Sequence, residues 1–396
     1  MGGGGRIGLP LALLFADADI STAIYDTNKD RITKIRSGIM PFDEEGADSI
    51  LPKVLQNGRL ILSDAPDILA QCQKLILIIG TPVDEHLNPQ FSSVIHALDE
   101  IRPYFRAGQV MILRSTLFPG LTAFLNRWLK DAGIDLPLAF CPERVAQGFS
   151  LREFRTLPQI VSGTSPFALE QAKSLFSRFA PELIEMEPEE AEFAKLITNS
   201  WRYLQFAIVN QFYMLATENG LDFSRILNAC QHNYPRMAGV PGPGFAAGPC
   251  LVKDTMQLAA YSRNTFHLGH AGMLVNEGLP YHLIAMLEQR IKQPLHHLTT
   301  AILGMAFKGN SDDRRDSLSY KLKKLLQIKS KKVLCSDPFV RDDPELVQES
   351  EAIANADIIF IGAPHSCYRT LTIPNEKEVV DIWNILTGEQ KRNSTE

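Results

Sequence analysis

The sequence predicts an α/β protein in which two parallel-sheet regions flank a helical segment. Short apolar runs alternate with helical patterns in the first half, strand-like runs disappear between about Pro188 and Arg290, and the alternation returns over the last hundred residues. Alternating strand and helix is the pattern of a parallel sheet with crossover helices.

The first region offers strands at Ala23–Tyr25, Leu75–Ile79, Val110–Leu113, Leu138–Phe140 and Gln159–Val161. In the middle, apolar residues recur with helical period through Phe193, Ala194, Leu196 and Ile197 to Phe212 and Leu215, then from Leu274 to Leu287. The Pro241-Gly242-Pro243-Gly244 stretch interrupts them. Long helices of this kind suit a connector between lobes and a dimer interface. The last region offers strands at Ala301–Leu303, Lys332–Cys335 and Asp357–Ile361, with Asp381-Ile382 opening another. The expected domains are therefore 1–187, 188–292 and 293–396, and Gly388–Glu396 reads as a disordered tail.

Composition narrows the class. A chain of 396 residues exceeds one ordinary core, and 45% hydrophobic with 21% charged residues is globular. The net charge of -5, from 40 basic and 45 acidic residues, leaves no electrostatic footprint for nucleic acid or an anionic membrane. The apolar runs are too short to span a bilayer, and Met1 with its four glycines lacks the features of a signal peptide, so a cytoplasmic protein is expected. The six cysteines are scattered, which fits free thiols in a reducing compartment. The nine histidines show no ligand spacing, and no metal site is expected.

Gly3-Gly4-Gly5-Arg6-Ile7-Gly8 fits G-x-G-x-x-G, and Leu9 to Leu14 can open a helix with Pro10 in its first turn. In a dinucleotide site such glycines allow a tight turn, and the helix N-terminus faces the pyrophosphate. Asp26, 18 residues after Gly8 at the end of a strand, stands where an acid bonds the ribose hydroxyls and favours NAD. The run reads equally as a flexible glycine leader. Only Met1 and Gly2 precede it, so the first strand of a mononucleotide-binding fold is expected to be missing.

Ser115-Thr116 and Cys141-Pro142-Glu143-Arg144 each follow a strand, where ligands bind in open parallel sheets; each reads also as a terminating turn. Lys195 and Asn199 are spaced to share one helix face, as a functional pair or as a solvated stripe. Cys250 lies on a glycine-rich loop beside Lys253 and Asp254. Cations and backbone amides there could activate a thiol and cradle an oxyanion, while a lone cysteine can also be inert packing.

In this order the segments resemble the UDP-glucose/GDP-mannose dehydrogenase family over nearly the whole chain. The resemblance also rests on Gly80-Thr81-Pro82-Val83-Asp84, Gly304-Met305-Ala306-Phe307-Lys308, Asp313-Arg314-Arg315-Asp316-Ser317 and Asp337-Pro338. It implies a Rossmann-like NAD-binding domain, a helical dimerisation region and a second Rossmann-like domain holding the nucleotide sugar. It implies a cofactor site at Gly3, Gly5, Arg6, Ile7, Gly8, Asp26, Thr81, Ser115 and Thr116. Cys250 would be the nucleophile in a double oxidation of the sugar C6 alcohol, through a thiohemiacetal and a thioester. Lys195 and Asn199 would donate to the oxyanion, Asp254 would orient or activate water, and Thr116 and Glu143 would assist proton transfer. The substrate set adds Arg236, Phe245, Gly248, Lys253 and Lys308 to Glu143, Lys195 and Asn199. A homodimer acting on a nucleotide sugar for polysaccharide synthesis is the implied assembly.

The chain departs from the family pattern at Gln147, where many UDP-glucose enzymes carry glutamate, and at Ala246-Ala247-Gly248-Pro249, where Pro249 removes a backbone donor. The Pro241–Gly244 approach resembles UDP-N-acetylhexosamine enzymes, while Lys253-Asp254 resembles UDP-glucose and GDP-mannose enzymes. The alternatives are an N-terminally truncated, inactive nucleotide-sugar-binding protein, a GDP-mannose dehydrogenase, and a two-electron β-hydroxyacid-type dehydrogenase with no use for Cys250.

Overall fold

A computed structural model of the chain describes residues 1–81, 83–84 and 90–386. Pro82 and the expected tail at Gly388–Glu396 lie outside the described residues. The chain divides into two compact units, Met1–Thr198 and Asn199–Glu396.

The first unit opens with α1 (Gly8–Asp17), β1 (Thr22–Tyr25), α2 (Lys29–Arg36), α3 (Ala47–Gln56) and β2 (Leu60–Ser63). It continues with β3 (Lys74–Leu77), α4 (Phe91–Ile101), β4 (Val110–Leu113), α5 (Leu121–Asp131) and β5 (Leu138–Phe140). Then come α6 (Ser150–Thr156), β6 (Gln159–Gly163), α7 (Pro166–Phe176), β7 (Leu183–Glu185) and the start of α8 (Pro188–Glu218). Strands β3-β4-β5-β6-β7 form one sheet, parallel except at β5–β6, and β1-β2 form a separate parallel pair. Strand β4 is buried on both faces, as a central parallel strand must be. Val110 and Ile112 pack into a core with α1, α3, α6 and α7, while Met111 and Leu113 pack into a second core with α4 and α5.

The second unit holds the rest of α8, then α9 (Phe223–Gln231), α10 (Leu251–Tyr261) and α11 (His267–Arg290). Among the described residues of 188–290 no strand occurs, as expected from the apolar period. Next come β8 (Thr299–Leu303), α12 (Leu318–Lys329), β9 (Lys332–Ser336), α13 (Glu349–Asn355), β10 (Ile358–Ile361) and β11 (Glu378–Val380). The order β11-β10-β8-β9 is parallel throughout. Alternate β8 residues again face two cores, Ile302 toward α11 and α12, Ala301 and Leu303 toward α13.

Two strands escaped the sequence reading. Strand β2 is four residues long with Ile61 exposed, and β7 is a half-buried edge strand. The strand expected to open at Asp381-Ile382 instead ends at Val380. Asp381 turns the chain, its half-buried carboxylate accepting from Leu386 N at 3.0 Å.

The α-ammonium of Met1 donates to Ile76 O at 2.9 Å, and burial pushes its pKa down from 8.0 to about 6. Between pH 6 and 8 the unfolded chain therefore binds more protons than the folded one, and stability rises with pH across that window. The component amounts to about 2–3 kcal/mol. Urea unfolding at pH 6 and pH 8 should show it, and an acetylated amino terminus should remove it. An unchanged pH dependence after acetylation would contradict the assignment.

Candidate active site

The glycine loop is shaped by its own packing. Gly2 has φ +66° and a Cβ there would meet Ile78 O at 2.1 Å, while a Cβ on Gly8 would strike Gly3 at 2.7 Å. Gly5 differs, because the nearest atom to an added Cβ is at 3.5 Å, so its missing side chain leaves room. Helix α1 starts at Gly8 with no acid in its first turn. An anion at those amides meets a favourable dipole and no competing carboxylate. Asp26 is buried at the end of β1, where it accepts from Gly4 N and Asn28 N, each at 2.9 Å, with Arg31 at 3.4 Å. The carboxylate thus fixes the loop to the strand beside it. Ile7 caps α1, and the guanidinium of Arg6 lies over Phe42. The loop, the bare helix end and the strand-end acid fit a dinucleotide.

Ser115 clamps the ends of β3 and β4, accepting from Ile79 N at 2.9 Å and donating to Ile79 O at 2.8 Å. Thr116 is half-buried next to it, and Thr81 follows β3. Glu143 accepts from Lys195 Nζ at 3.0 Å and from Val145 N at 3.0 Å. Lys195 is buried, so this ion pair is shielded from water. Two buried charges that the sequence reading did not single out anchor the segments next to the pair. Arg114 Nη1 donates to Cys141 O at 2.9 Å and Gln159 Oε1 at 3.1 Å, its guanidinium lying over Phe154 and Phe176. Glu192, fully buried on α8, accepts from Gly120 N and Thr122 N and so caps α5.

In the second unit, Asn199 donates to Asp254 Oδ2 at 2.5 Å. Asp254 has no exposed surface, and its Oδ1 has no hydrogen bond although Lys253 Nζ is 3.3 Å away. Asp254 stands one helical turn after Cys250, its N donating to Cys250 O at 2.8 Å. Cys250 is the N-cap residue of α10 and half-buried. The loop before it is fixed by Asn210, which donates to Gly244 O and accepts from Gly244 N, both at 2.9 Å. Gly248, at φ +97°, stacks its Cα on Phe307, where a Cβ would lie 2.5 Å from the ring.

The family's NAD-binding domain matches residues 1–180, its central domain 189–277 and its UDP-binding domain 301–388. The chain belongs to the UDP-glucose/GDP-mannose dehydrogenase family. As a member it is an NAD-dependent nucleotide-sugar dehydrogenase. It is similar to the UDP-N-acetyl-D-mannosamine dehydrogenase of Pyrococcus horikoshii, 28% identical over 377 residues, covering 93% of this chain and 89% of that protein. It is also similar to the NDP-N-acetyl-D-galactosaminuronic acid dehydrogenase of Ralstonia nicotianae, 26% identical over 93% of this chain and 90% of that protein. The solved structure of the UDP-D-ManNAc dehydrogenase from Pyrococcus horikoshii superposes with a TM-score of 0.90 at 27% identity, covering 97% and 94% of the two chains. No described helix is long and apolar enough to cross a membrane.

Other expected residues of this dehydrogenase make contacts of their own. Arg236 lies on an exposed turn, stacked on Tyr234. The ring of Phe245 is committed to the core, edge-on to Trp383 at 6.4 Å, so only its backbone could meet a ligand. Lys308 lies over Phe307, the ring that carries Gly248. Arg315 was quoted in a motif but given no role. It grips buried Asp313 with Nε at 2.9 Å and Nη2 at 2.7 Å. That bond raises its pKa above the usual range, and the charge of Cys250 adds to the rise.

The cysteines are unequal. Burial pushes Cys141 up to about 12 and Cys335 to about 11. Cys250 has helix amides and a guanidinium near it, which favour thiolate chemistry. Iodoacetamide at pH 7 should label Cys250 about tenfold faster than exposed Cys230, and Arg315→Met should slow it. Equal rates at the two cysteines would contradict this electrostatic reading.

Proposed function

We propose that this dehydrogenase oxidises the C6 alcohol of a UDP-hexose, in first place a UDP-N-acetylhexosamine, to the uronate in two steps through Cys250. The observation that carries the reading is a half-buried cysteine at a helix N-terminus, one turn ahead of a fully buried carboxylate with an unfilled acceptor oxygen. The names of the Pyrococcus and Ralstonia relatives favour an N-acetylated sugar.

Each residue has a role in this reading. NAD, when bound, accepts one hydride in each oxidation. In the first step the C6 hydroxyl gives its proton to a base, with Thr116 and Glu143 assisting. The Cys250 thiolate then adds to the aldehyde carbon, which keeps the reactive intermediate on the protein. Lys195 and Asn199 supply N–H donors to the oxyanion. Each side chain carries more N–H groups than the one used on Glu143 or Asp254. Loss of the second hydride leaves a thioester. Asp254, with Oδ1 as acceptor, orients the water whose attack releases the carboxylate and restores the thiol. Gly3, Gly5, Arg6, Ile7, Gly8, Asp26, Thr81 and Ser115 hold the cofactor. Lys253, Lys308, Gly248, Arg236 and the Phe245 backbone hold the nucleotide sugar. The domains in this reading are 1–187, 188–292 and 293–396, the setting is cytoplasmic, and the product feeds polysaccharide synthesis.

The same reading includes a homodimer. Trp201, Ile208, Phe212 and Leu215 are exposed along one stripe of α8, and Leu268, Leu274 and Tyr281 are exposed on α11. An apolar stripe of this kind marks an interface. Sedimentation should give a dimer, and the double substitution Trp201→Glu with Phe212→Glu should give a monomer. A wild-type monomer would overturn the assignment.

The catalytic reading is tested by NADH yield per sugar, with UDP-N-acetylmannosamine, UDP-N-acetylglucosamine, UDP-glucose and GDP-mannose offered separately. Two NADH per sugar with one of the UDP-sugars is expected, Cys250→Ala should form no uronate, and Lys195→Ala should lower kcat by about 10²–10³. One NADH per sugar in the wild type would point to a simple alcohol dehydrogenase and remove Cys250 from the mechanism.

A further inference from the structure

The segment 304–310, between β8 and α12, carries Phe307 and Lys308 and is fastened at both ends to one buried pair of side chains. At its start, Met305 N and Ala306 N donate to Asp337 Oδ2 at 2.6 and 2.9 Å. At its end, Asn310 N donates to His365 Nδ1 at 2.9 Å. Because Nδ1 accepts there, the ring proton sits on Nε2, which donates to Asp337 Oδ2 at 3.0 Å. The acid and the imidazole thus close a ring of hydrogen bonds through the whole segment. The other oxygen of Asp337 accepts from Phe339 N at 2.8 Å and Val340 N at 3.0 Å. Burial opposes the charge of Asp337, yet the bonds from His365 and from the amides of Ala306 and Phe339 hold its pKa below the usual carboxylate range. Neither side chain of the pair has exposed surface. The His365 ring packs on Phe339 at 4.8 Å and edge-on to Tyr368 at 5.3 Å.

The backbone of the segment is also pressed onto the residues that follow β10. A Cβ on Gly304 would lie 2.5 Å from Ala363 N, and one on Gly309 would lie 2.3 Å from Pro364 O. Asn310, at φ +52°, accepts at Oδ1 from Ser366 N at 2.8 Å and Ser366 Oγ at 3.0 Å. The middle of the segment meets the loop before Cys250, where Phe307 lies against Gly248, and Lys308 lies over that same ring. We propose that His365, braced by Asp337, is a positioning residue that fixes the 304–310 backbone and so presents Lys308, already ordered, to the nucleotide sugar. The inference rests on the binding role given to Lys308 above. A loose segment would have to be ordered on binding, and that lost entropy would be subtracted from affinity. His365 therefore acts on the hold on the sugar, through Lys308, and makes no contact with the ligand itself.

The test is a double-mutant cycle on the binding of UDP-N-acetylmannosamine, or whichever of the four sugars above the wild type oxidises, titrated calorimetrically without NAD. His365→Phe keeps a ring between Phe339 and Tyr368 and removes both hydrogen bonds. It should raise Kd for the sugar about tenfold, as should Lys308→Ala. If the histidine acts through the lysine, the double variant should bind no more than about twofold weaker than Lys308→Ala. Kd for NAD should stay within about twofold of the wild type in all three, which a general loss of structure would not allow. An unchanged Kd in His365→Phe would overturn the proposal, and so would losses that multiply in full in the double variant. If His365→Phe does not fold, His365→Asn takes its place in the cycle with the same outcomes, since it keeps an acceptor for Asn310 N and loses the donor to Asp337. Wild-type affinity in Lys308→Ala would remove the binding role beneath the proposal, whereas full multiplication with Lys308→Ala itself impaired would remove the role of His365 alone.

Discussion

The carboxylate of Asp254 is the constraint around which the second unit is arranged. It has no exposed surface, and one hydrogen bond from Asn199 answers a single oxygen. A carboxyl so buried needs a paired cation and hydrogen bonds to offset its desolvation. Lys253 at 3.3 Å offsets part of that burden, and α10 fixes Cys250 one turn before it. A buried carboxylate with an unfilled acceptor beside an accessible thiol is poorly suited to stability and well suited to handling a water molecule.

The loop leading to Cys250 follows from that requirement. Its path is set by contacts that leave no space for side chains. Gly244 is held from both its N–H and its carbonyl by Asn210, and a Cβ there would lie 2.1 Å from the Trp383 ring. Gly248 takes a left-handed conformation against Phe307. These are packing reasons for the glycines, and they lock the backbone that presents the thiol. The glycines at the start of the chain divide in the same way, with Gly2 and Gly8 required by packing and Gly5 leaving open space.

Much of this was legible in the sequence, for definite reasons. Buried parallel strands such as Val110–Leu113 are continuous apolar runs, and the long helices carry an unbroken period, so both were found. Strand β2 was missed because four residues with Ile61 exposed give no such signal. Cys250 with Asp254, and Lys195 with Asn199, were visible because helical spacing places each pair locally. The buried charges that anchor the Cys141 segment and the start of α8 were not, because their partners are distant in sequence. Arg114 meets Gln159 across 45 positions, and Glu192 meets Thr122 across 70. A charge closing an apolar strand, as in Val110 to Arg114, was the one available hint. Phe245 was grouped with the ligand residues through the family resemblance, and its ring packs in the core.

The central claim is that carbon is transferred to Cys250 and removed by water under the control of Asp254. It is tested most directly by trapping the intermediate in Asp254→Asn. The variant is mixed with NAD and UDP-N-acetylmannosamine, quenched in acid within seconds and mapped by peptide mass spectrometry. The account predicts a uronyl thioester accumulating on the peptide that contains Cys250 and on no other cysteine peptide. Uronate formed by the variant at the wild-type rate, with Cys250 unmodified throughout, would contradict it.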